Sequence, residues 1–71
     1  MLLHEAISEV LRRNGNQPMW VENIAAEINR LGLYRRKDRK PVPRKQVVAR
    51  MTKERYRYLF ERTSPAHYRL R

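Results

Sequence analysis

Apolar residues recur with a helical period in the first third of the chain. They follow the i, i+4, i+7, i+8 spacing of one helix face at Leu3, Ile7, Val10 and Leu11. The pattern predicts a first helix over residues 2–13, and Asn14-Gly15 followed by Pro18 brings it to an end.

Two further stretches have the same period. The second helix is predicted from Glu22 to Leu31, with Gly32 as its stop, and its apolar face consists of Ile24, Ala25, Ile28 and Leu31. The third starts at Pro43, which suits the first helical position because its missing N–H has no helical partner there. Its inward residues are Val47, Val48 and Met51.

The remaining apolar positions indicate strands. Met19-Trp20-Val21 is a short apolar run ahead of the second helix. After Glu54 the pattern alternates, which predicts strands over 58–62 and 67–70 joined by 63–66, with Phe60, Tyr68 and Leu70 facing inward. We therefore expect one domain, residues 1–71, that is mainly α with a small β-hairpin. Three helices, a short strand and a C-terminal two-stranded wing are the order of a winged helix-turn-helix.

The charge of the chain narrows the range of possible functions. Lys and Arg number 17 against 7 acidic residues, which gives a net charge of +10 and favours a polyanionic partner, nucleic acid first. A chain of 71 residues is too short for a deep catalytic cleft, and without cysteine it has neither disulfides nor a thiolate metal site. No apolar run is long enough to span a membrane. We expect a soluble cytoplasmic protein, associated with the nucleoid in a bacterium or nuclear in a eukaryote.

The densest charge lies between the second and third helices. Residues 33–42, the basic loop, show no apolar periodicity and are expected to be exposed; their cations are Arg35, Arg36, Lys37, Arg39 and Lys40. Arg44 and Lys45 follow on the first turn of the third helix, where free N–H groups already favour an anion. These residues predict a phosphate-binding surface, with a solvated charge run as the alternative.

The outer face of the third helix is the candidate for base contacts. Its residues are Gln46, Ala49, Arg50 and Lys53. Arg can pair with guanine and Gln with adenine in a major groove, but contact with phosphate alone fits the residues equally well. Arg62, Thr63 and Ser64, at the predicted tip of the wing, are candidates for a neighbouring groove or phosphate, or form an ordinary polar hairpin tip.

The aromatic residues are expected mostly in the core, since a small domain needs their bulk, with a base-stacking platform for single strands as the alternative. They are Trp20, Tyr34, Tyr56, Tyr58, Phe60 and Tyr68. Tyr34, inside the basic loop, remains a candidate contact, and Trp20 either covers the hairpin or faces a protein partner. His4 and His67 lack carboxylates at catalytic or metal-ligand spacing, and Asp38 is the only aspartate. We therefore predict no enzyme, no cofactor, no metal site and no small-molecule substrate.

Three segments together resemble a known family. "AISEVLRRNGNQPMWVENIAAEINRLGL", "VPRKQVVARM" and "YLFERTSPAHYRLR" are similar to the HARE-HTH domain, a winged helix named for restriction endonucleases and chromatin proteins. The chain departs from the family pattern at Val42, where Thr is usual, at Trp20, and in the Gly-free wing turn. The resemblance implies a DNA-directed targeting module of the kind joined to endonucleases, chromatin regulators and RNA polymerase accessory subunits.

The sequence therefore predicts a module that binds double-stranded DNA. It is expected to be a targeting domain of a larger protein or a small transcription- or restriction-associated factor. Two alternatives remain open: a protein docking module on polymerase or chromatin machinery that uses Trp20, and an RNA-binding domain in which Tyr34 stacks on bases. Clustered Lys and Arg favour nucleic acid over protein, but they do not separate DNA from RNA.

Overall fold

The computed structural model describes all residues from Met1 to Arg71 and confirms the winged helix-turn-helix order. The elements are α1 (Leu3–Arg13), β1 (Met19–Trp20), α2 (Val21–Leu31), α3 (Arg44–Thr52), a 3₁₀ turn (Arg57–Leu59), β2 (Phe60–Ser64) and β3 (His67–Leu70). None of the helices has the length and apolar character needed to cross a membrane.

The first two helices form where the apolar period and the end signals agree. In α1 the Glu5 carboxylate accepts a hydrogen bond from the Leu2 N–H at 2.8 Å, while Arg12 and Arg13 lie in the last turn, so the charges complement the helix dipole. The end of α2 is closed by Gly32, which adopts the left-handed conformation at φ 64°. Leu33 N–H then donates to the Ile28 carbonyl at 3.1 Å, and the chain turns into the basic loop.

The core lies where the three helices meet the sheet. It consists of fourteen buried residues, all of them apolar. The largest fully buried side chains come from α1, α2 and α3: Leu3, Ile7, Leu11, Val21, Ile24, Ile28, Val47 and Met51. Phe60 and Tyr68 extend this core under the hairpin, as the alternating pattern predicts, whereas Leu70 is only partly buried.

The sheet is antiparallel, with β3 in the middle and β1 and β2 at its edges. The turn of the hairpin is held at the start of α2, because Val21 N–H donates to the Ala66 carbonyl at 2.8 Å. At the other end of β3, the Asn16 side chain bonds to both the N–H and the carbonyl of Leu70, at 2.7 and 3.1 Å. The wing is therefore fastened along its length to the helical body.

Several predicted boundaries are wrong. Pro43 is the N-cap of α3 and not its first helical residue, and the helix ends at Thr52, so Lys53 lies beyond it. Residues 58 and 59 belong to the 3₁₀ turn and not to the predicted strand, because Leu59 N–H bonds back to the Tyr56 carbonyl and local turn bonds replace a strand ladder.

The wing turn is also shorter than predicted. Thr63 and Ser64 belong to β2, which continues past a bulge between Arg62 and Ser64. The turn itself is Pro65-Ala66, and Ala66 has the positive φ of 62° that such a turn requires and that glycine adopts more readily.

Val42 is buried, with 2% of its surface exposed, although the whole loop is predicted to be exposed. Its side chain joins the core. Its backbone polar groups are satisfied by Asn29, whose amide accepts from Val42 N–H at 2.8 Å and donates to the Val42 carbonyl at 3.0 Å. The basic loop is consequently anchored to α2 immediately before α3 begins.

Candidate nucleic-acid interface

The first turn of α3 presents two cations and free backbone donors. Arg44 and Lys45 are exposed, and no side chain caps the helix. The Pro43 carbonyl accepts from the N–H groups of Gln46 and Val47 at 3.1 and 3.3 Å, which leaves the earlier N–H groups of the helix open to an anion. Lys45 has no ion pair, whereas Arg44 Nη1 donates to Glu22 Oε1 at 2.9 Å. Lys45 is therefore the freer charge of the two.

The outer face of α3 contains two of the four predicted base-contact residues, Gln46 and Ala49. Lys45 and Ala49 are exposed and Gln46 is partly so. Arg50 lies on the flank, where its guanidinium is 5.4 Å from the centre of the Tyr56 ring, which fixes it by a cation–π contact. Lys53, beyond the helix end, is exposed but is not part of this face.

Asp38 shapes the basic loop. Its carboxylate accepts from Lys40 N–H at 3.0 Å and from Arg36 Nη2 at 2.9 Å. Between them, Arg39 has a positive φ of 62° and donates its N–H to the Arg36 carbonyl at 3.1 Å. Arg36 is thus partly neutralised and structural, and the remaining loop cations have no ion pair: Arg35, Lys37, Arg39 and Lys40.

The loop cations and α3 share one side of the molecule. An open basin of about 670 Å³ is lined by all five loop cations together with Asn29 and Gly32 at the end of α2, and no acidic residue lines it. A smaller concavity of about 240 Å³ brings Tyr34, Lys37 and Asp38 against Gln46 of α3. The two concavities form a cationic surface that runs from the loop to α3, which we call the loop–helix surface.

The wing lies on the other flank of α3. Arg62 is paired with Tyr68 across the hairpin and lines a groove with Thr52 at the end of α3. Thr63 and Ser64 are exposed at the end of β2 and share no cavity with α3. Of the three predicted wing residues, only Arg62 is brought next to the third helix.

Three residues of this groove were not predicted as site residues, and Tyr58 was expected in the core, whereas it is 67% exposed. Arg57 and Tyr58 project from the 3₁₀ turn and Arg71 follows β3; all three line the groove of about 740 Å³. Basic and aromatic residues alternate at 55–58, and this alternation is the sequence signal for these residues. None of these arginines is in an ion pair, since the six acid–base pairs of the chain involve other arginines.

The remaining side chains considered in the sequence are Tyr34, His4 and Trp20. Tyr34 packs partly against the core and also lines both concavities of the loop–helix surface. His4 stacks on Tyr56 with ring centres 4.2 Å apart. Trp20 is 41% exposed, lies opposite His67 across the sheet and lines neither concavity of the loop–helix surface. The structure contains no group of three or more His, Asp or Glu side chains that could hold a metal ion.

The chain matches a known protein family along its whole length. The model of the HARE-HTH family, whose description names ASXL and a restriction endonuclease HTH domain, matches residues 1–71. No curated protein and no solved structure matches the chain.

Proposed function

The chain belongs to the HARE-HTH family of helix-turn-helix domains with a DNA-binding role, and on this premise we propose that it binds double-stranded DNA through the loop–helix surface. The single observation that carries the proposal is the basin lined by five cations and no acidic residue, which shares Tyr34, Arg36 and Lys37 with the smaller concavity that reaches Gln46 of α3. Duplex DNA carries one negative charge per about 1.7 Å of its axis, so a cationic surface of this kind gains affinity by releasing condensed counterions.

The proposed docking uses two kinds of contact. Arg35, Lys37, Arg39, Lys40 and the first turn of α3 bind phosphates and set the position of the protein. Gln46 and Ala49 enter the major groove, with Arg62 on the phosphates of the far flank. The module serves as a targeting domain of a larger protein or as a small transcription- or restriction-associated factor. It has no catalytic activity of its own, and it acts at the nucleoid of a bacterium or in the nucleus of a eukaryote.

The test is a fluorescence anisotropy titration of duplex DNA, single-stranded DNA and structured RNA at several salt concentrations. With about six phosphate contacts, the logarithm of the duplex association constant is expected to fall against the logarithm of salt with a slope of roughly −5. The affinity then drops about a thousand-fold between 50 and 200 mM salt.

The decisive comparison is between two double variants with the same change in charge. Arg44→Ala/Lys45→Ala is expected to weaken duplex binding and to reduce the slope by about 2. Arg12→Ala/Arg13→Ala removes two arginines from the end of α1, outside the loop–helix surface, and should leave the slope unchanged. Equal binding by both variants, or stronger binding to RNA than to duplex DNA, would exclude the proposed mode.

One observation supports a second candidate function. Trp20 exposes a large apolar side chain on an edge strand, outside the lining of the cationic basin, and exposed aromatic residues are typical of protein interfaces. A docking role on polymerase or chromatin machinery predicts partner binding that is insensitive to salt and is lost in Trp20→Ala, while duplex binding is retained.

A further inference from the structure

We propose that the groove between the end of α3 and the wing is a nucleotide-binding site that takes an unpaired base of a DNA strand leaving the duplex. This inference rests on the proposed function, since it places the groove beside a bound duplex. The groove is lined by Thr52 of α3, by the 3₁₀ turn and by the inner face of the hairpin, and it has a volume of about 740 Å³. That volume is within the range of ligand-binding clefts.

The lining of the groove separates apolar from cationic groups. Met51, Phe60 and Tyr68 are almost fully buried and form its floor. Arg57, Arg62 and Arg71 lie at its rim, and no acidic residue contributes to the lining. A phosphate backbone alone would contact only the arginines and not the apolar floor. A nucleotide is complementary to both, because it combines a flat apolar base with an anionic phosphate.

Tyr58 is the side chain best suited to stack on a base. It is 67% exposed, the most exposed aromatic residue of the chain, although it lines the same groove as three core residues. Because the ring is exposed, core packing does not explain an aromatic residue at this position. The three arginines that line the groove with it have no ion pair, and they favour a ligand that is both anionic and aromatic. Base–aromatic stacking is tolerant of sequence because every base has a π face.

Arg71 is fixed in place for a phosphate contact. Its Nε donates to the Phe60 carbonyl at 3.0 Å, and its backbone N–H donates to the Leu59 carbonyl at 3.1 Å. The guanidinium is therefore held against the strand while its terminal nitrogens remain available. A pre-ordered guanidinium loses less side-chain entropy when it binds.

The groove and the proposed duplex contact lie along the same helix, α3. Thr52 lies seven residues after Lys45, which is two helical turns along the same face, or about 10.5 Å. A strand that passes the start of α3 on the duplex reaches the groove within about three base steps. The domain should therefore prefer a duplex with a short unpaired extension to a blunt duplex.

The experiment compares a blunt duplex with the same duplex carrying a four-nucleotide unpaired extension, as a 3′ or a 5′ overhang, by anisotropy at fixed salt. The wild-type protein is expected to bind one extended duplex about ten-fold more tightly, which is the effect of one base–aromatic stack. Tyr58→Ala should lose this advantage with blunt-duplex affinity unchanged, and Tyr58→Phe, which keeps the ring, should retain it.

The failures of the two proposals are distinguishable. Equal affinity of the wild-type protein for blunt and extended duplexes, or an advantage that survives in Tyr58→Ala, would overturn the groove while duplex binding stands. Absence of binding to any duplex would overturn both. The wild-type comparison needs no variant to fold, so it tests the groove by itself.

Discussion

The side-chain amide of Asn29 pairs with both backbone polar groups of Val42, with distances of 2.8 Å to its N–H and 3.0 Å to its carbonyl. Asn29 is in the last turns of α2, and Val42 ends the basic loop one residue before the N-cap of α3. The pair allows a loop residue to enter the core without leaving its peptide groups unpaired. It also sets the position of the loop cations relative to α3.

Asn29→Ala is expected to destabilise the protein by about 2–3 kcal/mol, because it removes both partly buried hydrogen bonds of the Val42 peptide groups. In a domain of this size that lowers the Tm by roughly 10–20 °C. Thermal unfolding followed by circular dichroism measures the change. Asn23→Ala, an exposed position on the same helix without a side-chain hydrogen bond, is the matched control. If both variants melt alike, the amide does not anchor the loop.

The sequence predicts α1 and α2 well because the residues that determine each helix lie within or next to it. The apolar period, the stop at Gly32 and the charges at the helix ends all lie within the segment that folds. Val42 is different, since its burial depends on an amide thirteen residues earlier, and no periodicity in the loop reports that. The 3₁₀ turn at Tyr58 also escaped prediction because aromatic and basic residues alternate in it as they do in a strand.

The candidate site, like the fold, is predictable only where the information is local. The sequence shows where the cations are, but it does not show which of them are free to bind a phosphate and which are held by carboxylates of the protein. Arg44 is paired with a carboxylate twenty-two residues away, and Arg36 is used to shape its own loop. The sequence alone gives every cation equal weight, whereas the fold leaves Lys45 free and restrains Arg44.

Gly32→Ala is expected to cost about 1 kcal/mol, because Gly32 has a left-handed φ of 64° that disfavours any Cβ. A Cβ added there meets nothing within 4 Å, so the cost arises from the backbone alone. Gly32→Asn should lose less, since Asn adopts this conformation more readily. Urea denaturation measures both free energies of unfolding. Equal losses in Ala and Asn would indicate a packing effect instead.

Glu9 links stability to pH. Hydrogen bonds from Arg13 and Arg12 hold the pKa of the Glu9 carboxyl below its ordinary value. A lowered pKa in the folded state stabilises the protein above the unfolded pKa, and this contribution is lost as the pH falls through the folded pKa. Glu9→Gln should therefore be less stable than wild type at pH 7, and the difference should shrink on acidification. Denaturation at several pH values measures it. A difference that stays constant between neutral and acidic pH would mean that the ion pairs of Glu9 with Arg12 and Arg13 do not contribute to stability.

Glu22→Gln is expected to strengthen duplex binding. Glu22 Oε1 accepts from Arg44 Nη1 at 2.9 Å, and both side chains are about half exposed. An exposed pair of this kind contributes about 0.2–1 kcal/mol, so removing the carboxylate that competes with a phosphate for Arg44 should raise the affinity by a factor of roughly 1.5–5. The free energy of unfolding should change by less than about 1 kcal/mol. Glu27→Gln is the control, because it breaks a similar exposed pair with Arg30 on the same helix and makes the same change in net charge. An equal gain from both variants in the anisotropy titration would mean that net charge alone acts and that Arg44 does not reach the duplex.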